Sequence, residues 1–322
     1  PFVFLYNMVS AIMRALGDSK TPLYFLVLTS ALNVGLDLYF IIVFDMGVFG
    51  AALATDLSQA ISGVASFVYM LRRFTMLRMQ PGETRPDRAI SARLLGMGLP
   101  MGLQCSITAI GSVIMQSAVN MLGSVAVAAV TAAGKTQNLL TVPLESVGTA
   151  MATYAGQNLG ASRLGRIRRG TRSAMVLVVG YSLAALVALH YCDVLIIGLF
   201  LDTAAEVTIV SMAREYMFWN SLFFIPLGAL IVWRYVIQGL GYATLAMMAG
   251  VAEMVARIAV AVALVPWLGY FGAELSNPAA WVAACLFLLP AYRWTIGQLA
   301  NRMHARRLAA LHKLGLQETR PR

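Results

Sequence analysis

Three oxygen-bearing side chains stand out in an otherwise apolar part of the sequence. Asp37 places a carboxylate inside the run SALNVGLDLYFI, and Asn33 lies one helical turn before it, on the same face. The next turn is centred near Met46, and Thr55 lies as far beyond it as Asp37 lies before it. At 1.5 Å of rise per residue both sit roughly 13 Å from that turn, so the two are expected at one depth. Carboxylate, amide and hydroxyl together suit Na⁺ or a shared proton, because hard cations take oxygen ligands. A charged group within a membrane span is costly and is a functional candidate by default.

Other polar groups fall in apolar stretches further along. Glu253 and Arg257 are spaced i, i+4 and are expected to pair, which lowers the cost of placing either in a membrane. Lys135, Gln137 and Glu145 share one stretch; Lys135 and Gln137 are candidates to line a cavity, though Lys135 can equally snorkel. Asp56 points about 100° away from Thr55 and is read as facing polar neighbours. The run AAGKT (132–136) resembles the end of a phosphate-binding loop, but Ala129 stands where the first glycine is needed. His190, His304 and His312 form no cluster, and Cys105, Cys192 and Cys285 have no metal-binding or disulfide spacing.

The elements that position these groups follow from composition. The 322 residues are 59% hydrophobic and 12% charged, with mean hydropathy +0.75. Soluble domains carry roughly 25% charged residues, so this chain cannot clothe a water-facing surface. An all-α polytopic membrane protein is predicted, since lipid offers no partner for a free amide. Nine spans are expected, near 1–16 (incomplete), 22–44, 50–71, 95–119, 125–155, 173–200, 207–238, 244–268 and 272–297. A polar stretch with Pro81, Gly82 and Pro86 reads as a linker. The expected division is 1–71 as the second half of a first lobe, 72–93 as linker, 94–300 as a second lobe and 301–322 as a basic tail.

The net charge of +10 would suggest nucleic acid in a soluble chain. Here its placement explains it. If every span crosses, one face of the membrane carries Arg14 and Lys20, six arginines between Arg72 and Arg93, five between Arg163 and Arg172, and six basic residues in the tail. The opposite loops carry only acids, such as Asp45, Asp193, Asp202 and Glu206. That asymmetry predicts a cytoplasmic C-terminus in a plasma (inner) membrane, with lipid and not nucleic acid as partner.

The chain also repeats itself. GVFGAALAT (47–55) matches GYFGAELSN (269–277), and RALGDSKTPL (14–23) aligns with QGLGYATLAM (238–247). By this register Arg257 takes the place of Asn33 and Ala261 that of Asp37, so cation coupling is expected mainly in the first lobe. Three spans precede the second copy and none the first. The expectation is a fragment of a twelve-span protein built as two pseudo-symmetric six-helix lobes related by a parallel repeat.

The runs SAIMRALGDSKTPL (10–23), SALNVGLDLYFI (30–41), MGVFGAALAT (46–55), AGQNLGA (155–161) with Arg163 and Arg166, and VIQGLG (236–241) resemble the multidrug and toxic compound extrusion (MATE) family. The resemblance implies helices four to twelve of a secondary antiporter that exports organic, often cationic, compounds in exchange for H⁺ or Na⁺. It implies no enzyme activity, no cofactor beyond the coupling ion, small organic substrates and a monomeric transporter. Asn33, Asp37 and Thr55 match the family's cation-site positions, whereas its partner carboxylate on the first helix has no counterpart in this sequence. Two rivals are an oligosaccharide-lipid flippase, which would favour a strongly basic cavity, and a membrane enzyme, which would need a clustered catalytic constellation.

Overall fold

The computed structural model describes residues 1–78, 87–198 and 207–313. Arg85, Asp202, Glu206, Arg320 and Arg322, which enter the charge count above, lie outside the described residues. The described residues are helical apart from short connections, and they divide into two compact units, Pro1–Arg88 and Ala89–Arg322.

The first unit holds α1 (Phe2–Ala15), α2 (Lys20–Leu38) and α3 (Gly47–Arg73). Gly17, at φ +95°, turns the chain between α1 and α2, a conformation that a side chain would strain. The Tyr6 hydroxyl donates to the Pro22 carbonyl at 2.8 Å and ties the two helices. α3 buries Gly50, Ala54, Ser58, Ser62, Ser66 and Met70 at a regular four-residue spacing. Such a stripe of small residues lets helices approach closely, and the Thr29 and Ser62 hydroxyls bond across it at 2.5 Å.

The second unit holds α4 (Arg88–Asn120), α5 (Ser124–Gly160), α6 (Leu164–Gly198), α7 (Val207–Leu222), α8 (Phe224–Gly239), α9 (Ala243–Ala259), the short α10 (Val265–Leu268) and α11 (Tyr270–Glu274), and α12 (Ser276–Lys313). Its core includes Leu144, Ile167, Met217, Phe224, Leu230, Ile231 and Leu288. α5 and α8 meet where Gly239 lies against Ala152; a Cβ at Gly239 would stand 2.3 Å from the Ala152 carbonyl oxygen.

Among the described residues the expected nine spans are corrected to six. Lys20–Val43, Gly47–Arg73, Arg88–Asn120, Leu164–Tyr191, Ala243–Leu268 and Tyr270–Ala305 are long and apolar enough to cross a membrane; a seventh arises if α7 and α8 count as one broken span. Three physical reasons account for the difference. α1 has only 14 residues, about 21 Å of helix, short of a bilayer core. α5 has 37 residues, but Lys135, Thr136, Gln137 and Asn138 interrupt its apolar run. The stretch expected as one span at 207–238 bends by 53° between α7 and α8. Pro226 supplies no N–H for the Leu222 carbonyl four residues earlier, so the α-helix breaks there.

The repeat read from sequence is written in the backbone. α2 runs into a π-helical turn, Tyr39–Val43, and α9 into another, Val260–Leu264. Gly17 and Gly241 have φ of +95° and +88°, and Gly47 and Gly269 have +51° and +58°. Each unit therefore carries the same order of left-handed glycine, helix, π turn, left-handed glycine and helix.

Candidate functional site

In the first unit α2 and α3 pack together and bring Asn33 to Thr55, the amide Nδ2 lying 3.3 Å from the hydroxyl. Thr55 Oγ1 itself donates to the Ala51 carbonyl at 3.0 Å. Asn33 and Asp37 are half-buried and Thr55 is exposed. Asp37 Oδ1 is buried and has no hydrogen-bond partner among the described residues. Asp56 is exposed.

The register differs from the count along the sequence. Thr55 faces Asn33, and Asp37 lies one turn nearer the connection to α3. The π turn explains this, because it spends an extra residue per turn and gains less height for each. Equal residue counts from Met46 therefore do not give equal depth. Gln59, one turn beyond Thr55 on α3, also buries a side-chain oxygen, Oε1, without a partner. Sequence reasoning passed over it, although its i, i+4 relation to Thr55 was visible.

The second unit holds a larger polar network. Asn277 on α12 donates from Nδ2 to the Tyr216 hydroxyl at 3.1 Å and to Gln137 Oε1 at 3.3 Å. Its Oδ1 accepts from Arg257 Nη2 at 3.5 Å. Arg257 Nη1 is 3.9 Å from Glu253 Oε2, so the expected i, i+4 pair is present but long. The tighter partner of Glu253 is Arg234, whose Nη2 donates to Oε1. Glu145 accepts from the Tyr235 hydroxyl at 2.7 Å, and Gln238 donates to Gln104 Oε1 at 2.9 Å. Lys135 is exposed and stands apart from these bonds. Tyr216 and Asn277 were not singled out in the sequence. Asn277 could have been, because the repeat places it opposite Thr55.

A cavity of about 140 Å³ adjoins this network, lined in part by Ser112, Gln116, Tyr216, Arg257, Ser276 and Asn277. Along α5, Asn138, Thr141, Glu145, Ser146 and Thr149 border an open groove of about 420 Å³. All but the half-buried Thr141 are exposed, and their three- and four-residue spacing makes one polar face on a long helix. The buried arginines and glutamate are held among themselves, which lowers the cost of enclosing their charges.

The MatE family profile matches residues 100–263. The probable multidrug resistance protein YpnP of Bacillus subtilis is 31% identical over 244 residues, covering 74% of this chain and 53% of that protein. The probable multidrug resistance protein YoeA of the same organism is 27% identical over 233 residues, covering 70% and 50%. The chain thus spans about half the length of the curated relatives it matches. A crystal structure of MATE in the bent conformation superposes with a TM-score of 0.84 at 23% identity, covering 93% of this chain and 67% of that one. This likeness speaks for the all-helical fold, and the two-lobe arrangement expected from the repeat is consistent with it. The family consists of multi-pass membrane transporters, not enzymes, and this chain belongs to the MATE family.

Proposed function

We propose that the chain is part of a secondary antiporter that exports small organic, often cationic, compounds in exchange for H⁺ or Na⁺. The observation that carries this reading is Asp37: a half-buried carboxylate in an apolar helix, with one oxygen unpartnered and the Asn33–Thr55 pair one turn away. A desolvated carboxylate oxygen with no partner among the described residues is a suitable ligand for a cation. Asn33 and Thr55 would add neutral oxygens.

In this reading 1–71 and 94–300 belong to two lobes that rock to give alternating access, 72–93 joins them, and 301–322 is a cytoplasmic basic tail of a monomer in the plasma membrane. Cation entry at Asp37 from outside favours the outward-open state and expels substrate. The exposed polar face of α5, including Lys135, Asn138, Glu145 and Thr149, would line an aqueous path, because polar side chains of a membrane protein face water or protein and not lipid. Gln137, Glu253 and Arg257 serve as the polar frame of the second lobe. The pairing of Arg234 and Arg257 with Glu253 weighs against the flippase alternative, because it offsets one of the two positive charges that an anionic headgroup would need.

The test is gradient-driven drug efflux from vesicles holding the full-length protein. Asp37→Asn should abolish efflux while leaving membrane insertion intact; normal efflux by that variant would overturn the assignment.

A further inference from the structure

Glu274 is the last residue of α11, and its side chain is wholly enclosed. Neither carboxyl oxygen has a hydrogen-bond partner among the described residues. Two further buried oxygens among the described residues are in the same condition: Asn220 Oδ1 on α7, whose residue contacts the Glu274 backbone, and Ser276 Oγ, two residues along the chain at the start of α12. Asn220 is drawn against Glu274 by its own amide, whose Nδ2 donates to the Glu274 carbonyl at 3.3 Å. Asn220 and Ser276 are also buried. The 140 Å³ cavity passes alongside, lined by Ala273, Ser276, Asn277 and Tyr216.

An orphaned carboxylate of this kind is costly in a low-dielectric interior, and each further orphaned oxygen adds its own cost. The charged and titratable groups around it offer little relief. Glu215 and Tyr216 on α7 and Tyr270 on α11 interact with Glu274 electrostatically, and the first of these repels a negative charge. Arg257 on α9 acts on Tyr216 but is already engaged with Glu253 and Asn277. A single bound cation would remove the cost. A proton on Glu274 supplies a donor for a neighbouring oxygen, and a desolvated Na⁺ takes all three as ligands.

We propose that the second unit contains a cation site of its own, formed by Glu274, Asn220 and Ser276, which takes a proton or Na⁺ independently of Asp37. The sequence repeat hid it. The position equivalent to Asp37 is Ala261, so the second copy looked empty, whereas the carboxylate enters from α11.

The test is carbodiimide modification of Glu274 in the full-length protein in detergent, read by mass spectrometry of its peptide. The reagent needs a protonated carboxyl. Modification that falls as pH rises and ignores Na⁺ identifies a proton site. Suppression by Na⁺ at fixed pH, with choline without effect, identifies a Na⁺ site. In the second case Ser276→Ala should raise the Na⁺ needed for half-protection roughly tenfold, about 1.4 kcal/mol. Asp37→Asn should leave the Glu274 profile unchanged in either case, which separates this site from the coupling role proposed for Asp37. Infrared spectroscopy gives a second measurement: the acid carbonyl band of the wild type at low pH should be missing in Glu274→Gln. A Glu274 profile indifferent to both pH and Na⁺, or one that moves with Asp37→Asn, would overturn the proposal.

Discussion

Arg257 Nη2 stands 3.5 Å from Asn277 Oδ1, across α9 and α12. The internal repeat equates these residues with Asn33 and Thr55, whose Nδ2 and Oγ1 are 3.3 Å apart across α2 and α3. The same two backbone positions thus touch in both units, but one contact joins neutral groups and the other includes a fixed guanidinium. A tethered cation makes the second contact a poor place for a mobile one, and the asymmetry suits a coupling role for Asp37 in the first unit.

Removing the carboxylate that holds the two arginines should cost more than removing either arginine. Glu253→Gln leaves Arg234 and Arg257 buried without their counter-charge, a loss of about 3–5 kcal/mol by analogy with broken buried pairs. Thermal unfolding in detergent should show the lowest midpoint for Glu253→Gln, with Arg257→Gln milder because Arg234 still pairs with Glu253. Equal midpoints would mean that the pairing contributes little.

Asn33→Ala and Thr55→Ala should weaken cation dependence without removing transport. Each withdraws one neutral ligand and leaves the Asp37 charge in place. The expected reading is an increase of several-fold in the H⁺ or Na⁺ concentration for half-maximal efflux, with drug affinity little changed. A loss as complete as that of Asp37→Asn would point to a structural role for the Asn33–Thr55 bond.

Single cysteines on α5 should report the proposed aqueous path. With Cys105, Cys192 and Cys285 replaced, cysteines at Thr141, Ser146 and Thr149 should react with a charged thiol reagent. One at Val176, an exposed apolar residue of α6, should not, because lipid excludes the reagent. Equal reactivity at all four would remove the argument for a water-facing stripe.

Gly239→Ala should lower folded yield. The new methyl would meet the Ala152 backbone, which cannot swing aside as a side chain can. Overpacking of this sort costs about 1–3 kcal/mol. Gly134→Ala is the control: nothing lies within 4 Å of its would-be Cβ, and alanine is the better helix former.

At the membrane edge, Asp18 should titrate below the ordinary value of 3.8. The Thr21 hydroxyl, and then its backbone N–H at 3.1 Å, stabilise the charged carboxylate. Because the folded pKa is depressed, the stability this contact adds is present above the unfolded value and is lost as pH falls through the folded one. Carbon NMR of labelled Asp18 checks the direction, and Asp18→Asn should abolish the titration.

The sequence by itself determined the class of molecule and its internal repeat. Those depend on local properties: continuous apolar runs force helices in lipid, and paired glycines mark turns that need positive φ. It also singled out Asp37 as a candidate, because a charge in an apolar run is conspicuous. The tertiary structure decided everything that depends on which faces meet. The π turn at Tyr39–Val43 shifted the register so that Thr55 meets Asn33. The break before Pro226 divided one expected span into two helices. The partner of Glu253 proved to be Arg234, nineteen positions away and on another helix. Glu274 sits at the end of an unremarkable short helix, and only the packing of α7, α11 and α12 shows that its carboxylate is enclosed with no partner among the described residues. Sequence spacing predicts neighbours within one helix; contacts between helices depend on packing angle and depth, which no local pattern encodes.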